Sequence, residues 1–187
     1  MSDYKIVEPQ MGVPSPCSVT ATVQAWPLGY LAKGEDFASG LGGTAFTSVA
    51  RIGDGLFQYA VGDTANPSLS RGQVVILRGN SAQLAGTVNR LSNFPVGVAA
   101  GPLSASNVYG WVQVQGLCDY AFGHSAGNFA AGATAFVGST TGEFATTQGA
   151  VGARIWGAHY PVSADNTQSR SLTVHLNFPH MGPSSAL

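Results

Sequence analysis

Charge is what this chain has least of. Of its 187 residues, 8 are Lys or Arg and 9 are Asp or Glu, so the formal charge is −1 and charged residues make up 9%. An ordinary soluble domain carries roughly 25%. With no basic excess there is no field to hold a phosphate backbone, which excludes nucleic acid as a general partner. Cysteine is scarce as well. Cys17 and Cys118 stand far apart without nearby cysteine partners and read as two small buried thiols rather than a staple. Unbroken apolar runs long enough to span a membrane are missing. The charge-free stretch Leu91–Cys118 is interrupted by Pro95 and Pro102, and Tyr120–Gly142 is mostly Gly, Ala, Ser and Thr. Neither reads as a membrane span. The opening, Met1 to Pro9, mixes charge signs around no apolar centre, so it does not read as a signal peptide and a cytosolic origin is expected.

What is present points to a folded body. Hydrophobic residues are 44% of the chain, too many for wholesale disorder. Area scaling gives a folded surface of about 8,400 Å², enough to bury a core without staples. On that surface there is about one charge per 500 Å², where a chain of usual composition would carry one per about 180 Å². The missing charge is replaced by Ser, Thr, Asn, Gln and Gly, or hidden in contacts.

Hydrophobic alternation is punctuated throughout by the 25 glycines and 10 prolines, and no long amphipathic helix is evident. Strands are expected at Cys17–Gln24, Gln83–Leu91, Phe94–Ala100, Tyr109–Ala121 and Val151–Val162. Val74-Val75-Ile76-Leu77 is a continuous apolar run, as in a strand covered on both faces. Leu172, Val174 and Leu176 alternate with Thr173, His175 and Asn177. Hairpins are expected across Gly53-Asp54-Gly55, joining Thr44–Ile52 to Leu56–Val61, and between Ala133–Val137 and Glu143–Thr147. Lys33–Gly43 and Ser163–Ser169 read as loops, and the tail from Pro179 as frayed. Many short strands at about 10–12-residue spacing imply an all-β fold, a β-sandwich or β-barrel of β-tulip or jelly-roll-like type. Residues 1–69 hold 8 of the charges by Asp54 and read as an irregular N-terminal arm with a β-hairpin. Residues 70–187 read as the compact β domain.

The motifs of known chemistry are missing. Gly40-Leu41-Gly42-Gly43 lacks the lysine of a phosphate loop, and no Gly-x-Ser-x-Gly occurs. His124, His159, His175 and His180 are not paired at metal-ligand spacing, and Glu35-Asp36 are the one adjacent carboxylate pair, in a glycine-rich loop. No catalytic, cofactor or metal residue is therefore expected. The residues that stand out are aromatic and polar together. In Trp111-Val112-Gln113-Val114-Gln115, period two puts the valines on one face and Trp111, Gln113 and Gln115 on the other. Trp156 and Tyr160 share a face with Ala158. These rings either fill the core or form a contact surface, where Trp and Tyr are enriched and charge is depleted. The interface candidates are Trp26, Tyr30, Trp111, Gln113, Gln115, Trp156 and Tyr160.

Phe94-Pro95-Val96-Gly97-Val98-Ala99-Ala100, followed by Tyr109-Gly110-Trp111-Val112-Gln113-Val114-Gln115-Gly116, is similar to segments of tailed-bacteriophage capsid decoration (cement) proteins. Arg71-Gly72-Gln73-Val74-Val75 and the hairpin Ala133–Phe144 fit the same pattern. The resemblance covers roughly residues 70–162. It implies an all-β body on the outer surface of a phage head, often a homotrimer, that binds the major capsid protein and stabilises the shell against internal DNA pressure. It brings no catalytic residues and no cofactor, nucleic-acid or membrane partner. The rival readings are a receptor- or glycan-binding module of a phage fibre, with Trp111 or Trp156 stacking on sugars, and a hydrolase whose site converges only in space.

Overall fold

The computed structural model describes residues 4–6, 15–16, 20–36, 55–63, 69–85, 94–103, 108–123, 128–138, 142–146, 153–165 and 171–182. These hold strands and no helix. In chain order they are β1 (Tyr4–Ile6), β2 (Ser15–Pro16), β3 (Leu31–Asp36), β4 (Gly55–Gly62), β5 (Val74–Arg78), β6 (Ser81–Leu84), β7 (Val96–Ala99), β8 (Tyr109–Phe122), β9 (Asn128–Phe129), β10 (Thr134–Val137), β11 (Phe144–Ala145), β12 (Ala153–His159), β13 (Ala164–Asp165) and β14 (Ser171–Met181). The all-β expectation holds. One large mixed sheet runs β11-β10-β12-β14-β8-β7-β5-β6-β4-β3-β1-β2.

An additional pairing of β8 with β4 joins β8, β7, β5, β6 and β4 in a closed ring. It is not a clean barrel, because β8 continues past the ring to pair with β14. Ring closure explains the double-sided burial of β5. Val74 and Ile76 face the larger core, while Val75 and Leu77 face a second core with Ala60, Ala82, Ala99, Val112 and Val114, one or more from each ring strand. Fully burying each of these β5 side chains stabilises by roughly 1.5–3 kcal/mol. The larger core lies outside the ring. It continues under β10, β12 and β14 through Phe129, Phe144, Ile155, Tyr160, Leu172, Val174 and Leu176.

β8 serves both cores because its alternation reverses. Leu56 opposes Gln115 while Phe57 opposes Gln113, which leaves Val114 as an extra residue. Gly116 follows at φ 95°, a conformation that glycine adopts without a Cβ penalty. Before the bulge Trp111 faces the larger core and Val112 and Val114 the ring interior. After it, Cys118 and Tyr120 face the larger core despite their even numbers.

Several expectations need correction. Lys33–Asp36 is not loop: it belongs to β3, which pairs with β4 and β1. In 20–24 only Ala21 pairs, in an isolated bridge to Tyr109; the preceding part of that expected strand lies outside the described residues. The boundary near residues 63–71 is crossed by pairing, since β4 lies before it yet joins β8 and β6. Ala164 and Asp165, expected in a loop, pair with β9. Met181 and Gly182, expected in a frayed tail, are held: the Met181 N–H donates to the Phe94 carbonyl at 3.0 Å and the Gly182 N–H to the Arg154 carbonyl at 3.0 Å. Residues Cys17, Thr44–Ile52 and His124 fall outside the described residues.

Candidate functional site

The glutamine beside the tryptophan is structural. Gln113 is fully buried. Its Nε2 donates to the carbonyls of Gln115 and Leu117 at 3.2 and 3.1 Å, the two residues flanking Gly116, and its Oε1 accepts from the Tyr120 hydroxyl at 2.8 Å. The side chain therefore holds the bulge. Gln115, turned outward by that bulge, is exposed.

The aromatic candidates divide into separate groups. Trp26 stacks on Tyr30 (centroids 5.7 Å apart) and tilts against Trp111 (6.0 Å), which in turn meets Tyr59 at 4.9 Å. Trp111 is buried, while Trp26 and Tyr30 are half-buried and keep an outer edge. Tyr160 is fully buried elsewhere, edge-on to Phe129 and Phe144, with its hydroxyl donating to the Ala145 carbonyl at 2.7 Å. Burial raises its pKa. Trp111, Gln113 and Tyr160 are thus covered by this chain itself.

Trp156 does not share their face. Gly157, at φ 78°, interrupts β12, so Trp156 turns out and is 40% exposed while Ala158 and Tyr160 stay inside. The Arg154 guanidinium lies 3.8 Å above one face of the ring. Trp156 pairs with His180 on β14.

On β14, positions 176 and 180 face positions 158 and 156 on β12, so four steps on one strand oppose two on the other. Asn177, Phe178 and Pro179 therefore stand opposite Gly157 alone; Asn177 and Phe178 are thrown outward while Pro179 stays buried. Pro179 donates no N–H and suits a bulge. At the tip Phe178 has φ 44° and is 53% exposed. A bulky residue is a genuine outlier there, at a cost of roughly 1–2 kcal/mol. The bulge is where β14 leaves β8 at Asn177–Gln115 and crosses to Pro95. The divergence opens a pocket of about 270 Å³ lined by Leu31, Gln58, Pro95, Val96, Val114, Phe178, Pro179 and His180. Buried Val96 and Val114 form its apolar base; Leu31, 47% exposed, and Phe178 form its rim.

This rimmed pocket was not among the sequence expectations. The signal available for it was Asn177-Phe178-Pro179, a proline interrupting a cleanly alternating strand. The lining is mostly apolar, with Gln58 and His180 as its polar members. No protein-family model matches the chain, and no curated protein matches it.

Proposed function

We propose that this chain is a structural adhesion domain of a phage virion, a decoration protein that attaches to the outer surface of the head and stiffens it. The observation that carries the reading is the exposed apolar rim, Leu31 and Phe178, held around a pocket on a molecule almost without charge. A lone hydrated domain gains nothing from an aromatic ring kept outward at positive φ; a partner that buries the ring does. The sparse charge suits the same use, since burying an unpaired charge in a contact is costly. The resemblance of residues 70–162 to cement proteins points the same way. The expected partners are the major capsid protein and sister copies of this chain, in a homotrimer. Individual contacts can be weak, because many copies on one shell add through avidity.

The test adds purified protein to expanded heads that lack it and reads both binding and the temperature of head disruption. Binding with a raised disruption temperature is expected. A Leu31→Ser/Phe178→Ser variant, folded by circular dichroism, is expected to lose both. Failure of the native protein to bind heads refutes the proposal. Glycan binding lost in Trp156→Ala, without head binding, replaces it with a carbohydrate-recognition role, although Arg154 already covers one face of that ring.

A further inference from the structure

His159 on β12 and His175 on β14 are direct cross-strand partners, and their ring centroids are 4.9 Å apart with planes tilted by 42°. They are sixteen positions apart in the chain, so no local spacing could pair them. The His175 Nδ1 is enclosed and has no hydrogen-bond partner among the described residues. We propose that His159 and His175 form a surface site for one borderline divalent transition-metal ion of the Zn²⁺, Cu²⁺ or Ni²⁺ class, clipping β12 to β14.

Imidazole suits these ions. With a metal–nitrogen bond of about 2.0 Å and about 1.1 Å more to the ring centre, an ion would sit about 3.1 Å from each centroid. Centroids 4.9 Å apart would then subtend roughly 100° at the metal, near the tetrahedral angle of zinc sites. Among the described residues no third His, Cys, Asp or Glu joins them, so water would complete the coordination. His159 is exposed, which leaves room for it. The ligating form is neutral imidazole.

Two charged groups lie on the strands around the pair. Arg154 on β12 reaches toward Thr134, its Nη2 3.4 Å from Oγ1, and Thr134 is the β10 partner of His159. Asp119 is on β8, two residues past Leu117, the β8 partner of His175. The strands that the ion would join are those that carry Trp156 and Phe178. Occupancy would stiffen the part of the sheet from which the pocket rim projects.

The experiment titrates untagged full-length protein with ZnCl₂, and separately CuSO₄, by calorimetry at pH 7.5 and pH 5.5. Saturable binding of one ion per chain with a rise in Tm is expected at pH 7.5, with loss at pH 5.5 as protons compete. His159→Asn, at an exposed position, is expected to abolish the site, as is His175→Asn; His180→Asn is expected to leave it intact. No saturable binding by the native protein overturns the proposal. So does binding that survives His159→Asn, or that is lost in His180→Asn.

Discussion

Replacing Gln113 by Leu tests how the two cores are joined. The substitution keeps a side chain of similar bulk but removes three hydrogen bonds, to the carbonyls of Gln115 and Leu117 and from the Tyr120 hydroxyl. Each is worth about 0.5–1.5 kcal/mol net, so the loss is about 1.5–4.5 kcal/mol, centred near 3. For a chain of this length 1 kcal/mol moves Tm by roughly 2–4 °C, so the expected fall is about 6–12 °C. Tyr120→Phe removes only the bond to Oε1 and is expected to cost about 1 kcal/mol. The double variant should cost less than the sum of the two, because they share that bond. Urea unfolding followed by circular dichroism supplies all three values. Because the bulge lies where β14 leaves β8, the Leu variant should also bind heads more weakly. If Gln113→Leu unfolds within about 0.5 kcal/mol of the native protein, the size expected of a neutral surface change, the bulge does not depend on this amide and the reasoning fails.

Other outcomes follow from burial and backbone geometry. Desolvation pushes the Cys118 thiol up to about 12 from 9.0. In a Cys17→Ser background it should resist a thiol reagent in the folded protein and react fully in denaturant. Its contribution to stability is complete below pH 9.0 and lost as pH rises toward about 12. The His175 pKa is depressed, so its contribution is complete above 6.5 and lost as pH falls through the lower folded value. In metal-free buffer, His175→Asn should flatten the acid side of the Tm–pH curve, and His159→Asn should flatten it less, because burial is the larger cause. Gly157→Ala places a Cβ at positive φ, 2.6 Å from the Asn177 carbonyl oxygen. It should lower Tm by several degrees, whereas Phe178→Gly, which relieves positive φ, should leave Tm within a few degrees and still weaken head binding.

Much of the strand content was readable locally. The apolar run Val74–Leu77 announced burial on both faces, and the alternation of Leu172, Val174 and Leu176 set the inward face of β14. The hairpin of β10 and β11 pairs Val137 with Phe144, across the turn its residues suggested. Period two failed wherever a bulge intervened. It placed Gln115 with Trp111 and Gln113, and Trp156 with Tyr160, because nothing local marks Gly116 or Gly157 as the point where a strand changes phase. It also read Pro179 as the start of a frayed tail, when the following Met181 is bound to Phe94.

Composition and alternation by themselves determined the fold class, the lack of surface charge and most inward-facing residues, since those depend on each residue's own polarity and its nearest neighbours. The tertiary structure decided that β8 meets β4 to close a ring, that Gln113 is spent on a bulge, that His159 meets His175 and that Phe178 stands at the rim of a pocket. Each of these depends on register between segments distant in the chain. A shift of one residue exchanges the two faces of a strand, and no local pattern sets register across a bulge.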